Sequence, residues 1–249
     1  MKVLRFLSLV SLIVLLCPGA SWALGVEGAV GAWSQTNDGG IKNSGPEIGI
    51  SDDMKLSDNV RFYGRLKIDT LPLLPDVYLM VTQTQTNGFG SKSGGFQFGD
   101  DTFTSASFST NLDLYEYDLA FFYPVPLVKT ATAGVLNVEG GVNLKTLDVT
   151  INLHQAGIER TDSAVVPIPM LYLGVQIKPL ERFSLEAEFR GLSFTDSTFY
   201  DIIGRLRVNI YGPSFIAAGY RYENMSVNKD YLSIDRRVGG PFVELGFKF

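Results

Sequence analysis

The chain has 249 residues, 45% of them hydrophobic, with one Cys and one His. Its 21 Lys and Arg stand against 26 Asp and Glu, a net charge of −5, which disfavours a nucleic-acid partner. One Cys excludes a disulfide framework, and with a single His there is no ligand set for a Cys/His metal centre.

The N-terminus reads MKVLRFLSLVSLIVLLCPGASWA. Lys2 and Arg5 precede an apolar run from Phe6 to Cys17, Pro18-Gly19 breaks it, and Ser21 and Ala23 place small residues before a cleavage point. This is the layout of a secretory signal peptide covering 1–23. The run is about 12 residues, short of the roughly 20 that a spanning helix needs. Leu16 before Cys17 argues against lipidation. Cleavage removes two basic residues, no acid and the only Cys, so the exported domain 24–249 has a net charge of −7 and no thiol. No later stretch approaches 18 consecutive apolar residues, which excludes spanning helices but not a β-barrel, whose apolarity is hidden in alternation.

Downstream of the signal the dominant period is two. A first strand is expected at 25–34, followed by a polar segment rich in Gly, Ser, Asn and Asp at 35–58. In the next strand, 58–69, Val60, Phe62, Gly64, Leu66 and Ile68 alternate with Arg61, Tyr63, Arg65, Lys67 and Asp69. The turn LPLLP (71–75) leads to a strand at 76–86 and a long polar loop at 86–102. Strand 110–123 sets Tyr115, Tyr117, Leu119, Phe121 and Tyr123 against Glu116, Asp118, Ala120 and Phe122. The turn PVPLVK (124–129) precedes a strand at 132–145, and 147–163 reads as a polar loop. Strand 165–178 and the turn KPLER (178–182) lead into 183–194, where Phe183, Leu185, Ala187 and Phe189 oppose Ser184, Glu186, Glu188 and Arg190. A tight loop at 195–198 joins it to 199–210, where Tyr200, Ile202, Gly204, Leu206 and Val208 alternate with Asp201, Ile203, Arg205 and Arg207. The turn YGPS (211–214), a strand at 215–227, a loop at 228–235 and a strand at 236–249 complete the chain.

Strict alternation over such lengths is the mark of strands with one apolar face. The expected fold is therefore all-β: a closed antiparallel up-and-down transmembrane β-barrel of about 10 strands, with 8 or 12 if one hairpin is split or merged. Short, mostly Pro-containing turns follow the even strands and longer loops the odd ones, and both termini fall on the short-turn rim, as in outer-membrane barrels. Aromatics near strand ends suggest two interfacial girdles: Phe121, Tyr123, Phe183, Phe215, Phe247 and Phe249 at the short-turn rim, and Trp33, Tyr115, Tyr200 and Tyr222 at the other. A soluble β-sandwich, which turns its apolar faces inward, is the competing architecture.

The polar faces are then luminal. They carry Arg61, Arg65, Lys67, Glu116, Asp118, Glu139, Lys145, Glu186, Glu188, Arg190, Asp201, Arg205, Arg207, Arg221, Glu223, Glu244 and Lys248. A barrel of this strand number has an interior little wider than its side chains, and charges there need partners. A salt-bridge network closing the bore is expected, with Arg61, Arg65, Glu116, Asp118, Glu139, Glu186, Glu188, Arg190, Arg205, Arg207, Arg221 and Glu244 as its members.

Signals for chemistry are sparse. His154, in INLHQAG, has Asp162 and Ser163 nearby in sequence but no recognisable nucleophile spacing. NDGG (37–40), SDD (51–53) and GDD (99–101) lack calcium-loop spacing, and GFGSKSGG (88–95) lacks the Walker pattern. No catalytic residue, metal or cofactor is expected.

GVEGAVGAW, NVRFYGRLKIDTLPLLPDVYLMVTQT, LDLYEYDLAFFYPV, VPIPMLYLGVQIKPLERFSLEAE, AAGYRYENM and the closing GGPFVELGFKF, taken in order, resemble an uncharacterised family of Gram-negative outer-membrane β-barrel proteins. The resemblance implies an integral barrel and carries no activity. The last strand, with Val243, Leu245, Phe247 and Phe249 on one face, also resembles the C-terminal signal read by the outer-membrane insertion machinery. The expected partners are outer-membrane lipids and that machinery, the expected state is a monomer, and the expected role is structural or ligand-binding. A narrow channel for small solutes and a hydrolase using His154 are the alternatives.

Overall fold

The computed structural model describes residues 25–43, 48–49, 59–71, 73–91, 96–98, 101–103, 107–155, 158–194, 197–229 and 232–249. The signal sequence expected at 1–23 and the acidic turn at 51–53 lie outside these residues. Ten long strands form the wall: β1 (Gly25–Asn43), β2 (Asn59–Asp69), β3 (Asp76–Ser91), β4 (Ser107–Pro124), β5 (Leu136–Gln155), β6 (Ile158–Leu180), β7 (Phe183–Phe194), β8 (Ser197–Tyr211), β9 (Ser214–Lys229) and β10 (Leu232–Lys248). Each pairs antiparallel with its chain neighbour, and β10 pairs with β1, so the sheet closes without an edge. Three short strands, Ile48–Gly49, Phe96–Phe98 and Asp101–Phe103, lie in the longer connections.

The alternation dictates which way each face points. Outward, Leu79, Leu144, Leu173, Leu185, Leu206, Ile216 and Leu245 are exposed, while the charged positions between them are buried. A sandwich would bury the first set and expose the second, so the architecture is a barrel. On β8 the outer face runs Tyr200, Ile202, Gly204, Leu206, Val208, Ile210. At about 3.4 Å per residue and a tilt of roughly 40°, that stretch rises about 25 Å, the height of the apolar belt of a membrane barrel. At its upper edge the Tyr200 and Tyr222 rings meet at 6.0 Å and those of Tyr115 and Tyr117 stack at 6.3 Å. Two aromatics expected in the girdles face inward instead: Trp33 and Phe215 are fully buried. Parity explains both, since Trp33 shares its face with Glu27, and Phe215 shares its face with Arg221.

Several segments read as loops are strand. β5 and β6 continue through 147–163 to a hairpin in which Gln155 faces Ile158. β1 runs on to Asn43, where it pairs with Leu232, and β3 runs to Ser91. β9 and β10 occupy most of 228–235, and β8 begins at Ser197 within 195–198. The strand expected from 132 starts only at Leu136, because a single helical turn, α1 (Val128–Ala131), precedes it. Thr132 closes that turn: its Oγ1 donates to the Val128 carbonyl at 2.8 Å and accepts from the Leu136 amide at 3.0 Å.

Glycines allow close backbone approach across the β1–β10 seam, Gly240 most of all. A Cβ at Gly240 would stand 1.6 Å from the Ser34 carbonyl oxygen. That close approach lets the Trp33 indole donate to the Gly240 carbonyl at 3.1 Å. Gly212, at φ 55°, supplies the left-handed residue of the β8–β9 turn.

Candidate functional site in the barrel lumen

The inward faces of the ten strands place eight carboxylates and seven cations in buried positions: Glu27, Glu116, Asp118, Glu139, Glu188, Asp201, Glu223 and Glu244 against Arg61, Arg65, Lys145, Arg190, Arg205, Arg207 and Arg221. The two signs are nearly balanced among these buried residues. The pairings form two clusters joined at one point.

In the lower cluster, nearer the termini, Arg65 donates to Glu27 at 2.7 Å and to Glu244 at 3.0 Å. Arg207 reaches the second oxygen of Glu27 at 2.6 Å, and the Tyr63 hydroxyl donates to Glu244 at 2.8 Å. Arg205 pairs with Glu188 and, at 3.2 Å, with Glu186. Lys67 donates to both oxygens of Glu139 at 2.8 Å. A cavity of about 190 Å³ beneath, lined among others by Lys67, Asp69, Gln176, Lys178 and Lys248, lies at the terminus-bearing end.

The upper cluster is centred on Lys145, whose ammonium is fully buried and lies 2.8 Å from Glu223, 3.0 Å from Glu116, 3.2 Å from Asp118 and 3.9 Å from Asp201. Arg221 grips Asp201 through Nε at 3.1 Å and Nη2 at 2.9 Å, and reaches Glu223 at 2.6 Å. Such two-point guanidinium contacts fix orientation as well as charge. Arg190 joins the clusters, donating to Glu188 at 2.6 Å and to Asp201 at 3.1 Å.

Aromatic faces fill the space between the charges. Arg190 lies 4.9 Å from the Tyr78 ring, Arg221 4.5 Å from Trp33 and Arg207 3.8 Å from Phe215. These contacts replace part of the lost hydration of each guanidinium.

Every luminal residue named from the sequence faces inward. Arg65, Glu116, Asp118, Glu139, Glu186, Glu188, Arg190, Arg205, Arg207, Arg221 and Glu244 are joined in ion pairs, whereas Arg61 has none among the described residues. Arg236, 3.7 Å from Glu116, was missed, as was Glu27, which holds Arg65 and Arg207 together and meets Lys248 at 3.5 Å. Its parity with Trp33 was readable, but the Gly and Ala residues around it leave the apolar face of β1 poorly marked. On the outer face at the C-terminal end of the chain, Val243, Leu245, Phe247 and Phe249 are all exposed.

His154 lies on the exposed outer face of β5, with Ser109 and Glu159 as its cross-strand neighbours. Asp162 and Ser163 instead face Ile151 and Thr150. Among the described residues no hydrogen bond or ion pair joins His154 to any of these side chains.

A closed ten-stranded up-and-down barrel with an apolar outer wall and a charged lumen is the architecture of Gram-negative outer-membrane β-barrels. The chain is similar to the outer membrane protease OmpT from Escherichia coli, at 9% identity over 90% of this chain and 97% of that one, with a TM-score of 0.55. Two further solved structures are more distant. The translocator domain of the autotransporter NalP from Neisseria meningitidis is 13% identical over 100% of this chain and 96% of that one, with a TM-score of 0.44. The attachment invasion locus protein Ail of Yersinia pestis is 11% identical over 91% and 99%, with a TM-score of 0.36. Of the three, the protease shares the fold, and at that identity the likeness speaks of fold and not of proteolysis. No family model and no curated protein matches the sequence.

Proposed function

We propose that this protein is a monomeric, non-enzymatic outer-membrane β-barrel with a closed bore, serving a structural or ligand-binding role. The carrying observation is the Glu188–Arg190–Asp201 link, which ties the two ion clusters into one chain of pairs from Lys248 to Arg236. A solute crossing the lumen would have to displace buried, paired charges, each costly to strip of its partner. Outer-membrane location is supported by the exposed apolar belt and by the absence of a sheet edge, since an open edge is not tolerated in lipid. The belt and the aromatics Phe121, Tyr123, Phe247 and Phe249 fit outer-membrane lipids as the surrounding partner, and the C-terminal strand fits the insertion machinery.

Planar-bilayer recording tests the closed bore. Purified protein is expected to give no steady single-channel steps; regular steps at constant voltage would favour the narrow-channel alternative. The belt has its own test. Leu206→Arg, in the middle of the outer face of β8, is expected to lower stability in lipid by about 2–4 kcal/mol, as arginine does near the midplane of membrane barrels. Urea unfolding in vesicles measures it, and a cost near zero would place Leu206 outside the hydrocarbon layer.

A further inference from the structure

Each buried luminal cation discussed above has a carboxylate within about 3 Å, with one exception. Arg61, on β2, is only 8% exposed, yet no ion pair among the described residues includes it. Its Nε and Nη2 are both buried without a hydrogen-bond acceptor. Those two groups form one edge of the guanidinium, the edge that grips two oxygens of one ligand side by side.

Two further donors stand on β1, the neighbouring strand, and on β10, the strand beyond it. Gln35, on β1, is 1% exposed; its Oε1 lies 3.4 Å from the Thr84 hydroxyl while its Nε2 has no acceptor. Arg236, on β10, touches Glu116 at 3.7 Å through Nη1 and leaves Nη2 buried and unmatched. It lies within electrostatic reach of Arg61. Glu116 offsets part of the Arg236 charge through its Oε1, which accepts no hydrogen bond, while its Oε2 is held by Lys145 at 3.0 Å. All three donors sit above the upper ion cluster, away from the termini. The fold thus holds two mutually repelling guanidiniums and an amide with their donors unmatched. Arg61 has no counter-ion among the described residues, and burying a charge unpaired is costly.

We propose that Arg61, Arg236 and Gln35 form a binding site for a phosphate-type oxyanion on the upper floor of the lumen. The Nε–Nη2 edge of Arg61 takes two oxygens, and Arg236 and the Gln35 amide take the others. A spherical halide cannot use the fork in this way. The ligand is free phosphate or a phosphate ester, and the site holds whether or not the bore conducts.

Trp33 reports on the site, being the cross-strand partner of Arg61 and the single Trp among the described residues. Folded full-length protein in detergent is titrated with inorganic phosphate, with glycerol 3-phosphate and with chloride at matched ionic strength, following Trp emission. The expected result is a saturable change with the phosphates and none with chloride. Arg61→Gln and Arg61→Lys should each weaken binding more than tenfold, the second because it keeps the charge and loses the fork. Arg237→Gln, on the exposed outer wall, should leave it unchanged. Tighter binding of the ester assigns a phosphate carried on a larger molecule, and equal binding assigns the free ion; both support the site. An equal response to chloride, no saturable response, or unchanged affinity in the Arg61→Lys protein overturns it. Gel mobility before and after boiling checks that each variant is folded.

Discussion

Replacing Lys145 by alanine is expected to destabilise the barrel by about 3–5 kcal/mol, the range found when one partner of a buried ion cluster is removed. Its ammonium lies within 4 Å of Glu116, Asp118, Asp201 and Glu223, more acids than any other luminal cation meets among the described pairs. Without it, Arg221 still holds Glu223 at 2.6 Å and Asn143 still donates to Asp118 at 2.9 Å, but Glu116 keeps only longer contacts at 3.7 and 3.8 Å. The cost arises from stranded negative charge and not from lost volume. Lys145→Met, which fills most of the space, should therefore be nearly as harmful as Lys145→Ala. Adding Glu116→Gln to Lys145→Met should recover part of the loss, a coupling that a double-mutant cycle reads directly. Urea unfolding in detergent, followed by Trp emission and by gel mobility, gives the numbers. A loss below about 1 kcal/mol for Lys145→Ala would mean that water reaches the cluster and screens it, as at surface pairs.

Deleting Phe249 is expected to lower the yield of inserted barrel several-fold while changing the stability of the finished barrel by only about 1–2 kcal/mol. The deletion removes two seam hydrogen bonds, Val26 amide to Phe249 carbonyl at 3.1 Å and Phe249 amide to Val26 carbonyl at 2.9 Å, each worth roughly 1 kcal/mol. The rest of the seam, from Glu27 opposite Lys248 to Asn43 opposite Leu232, is untouched. Assembly is another matter, because the terminal aromatic and the alternating strand behind it are what the insertion machinery is proposed to read. The measurement compares the heat-modifiable fraction in outer membranes with the unfolding midpoint of protein refolded in detergent. Normal insertion of the truncated chain would remove the assembly role from Phe249.

The barrel was legible where lipid imposes alternation. Val60 to Ile68 and Phe183 to Phe189 show it plainly because the outer face must be apolar and the inner face carries charge. Above the belt that constraint lapses. In β5 the residues Leu147, Val149, Ile151 and Leu153 still alternate with Asp148, Thr150, Asn152 and His154, but the outward set meets water and is polar. A strand with a wet outer face reads as a loop unless the inner face is followed on its own. Trp33 and Phe215 failed for a related reason: position near a strand end suggested a girdle, whereas parity with Glu27 and Arg221 placed them inside.

By itself the sequence determined an antiparallel barrel of about 10 strands, their order and the parity of most side chains, because pleat and lipid together act on local alternation. Which acid meets which base was decided only by closure. Lys145 of β5 finds Glu223 of β9 across the bore, and Tyr63 and Arg65 of β2 find Glu244 of β10, two strands away through the seam. Local pairing sets the register of neighbours, but the height at which distant strands face one another depends on the tilt and stagger accumulated around the whole barrel. Among the described residues Arg61 is left without an ion pair, which parity alone did not foretell.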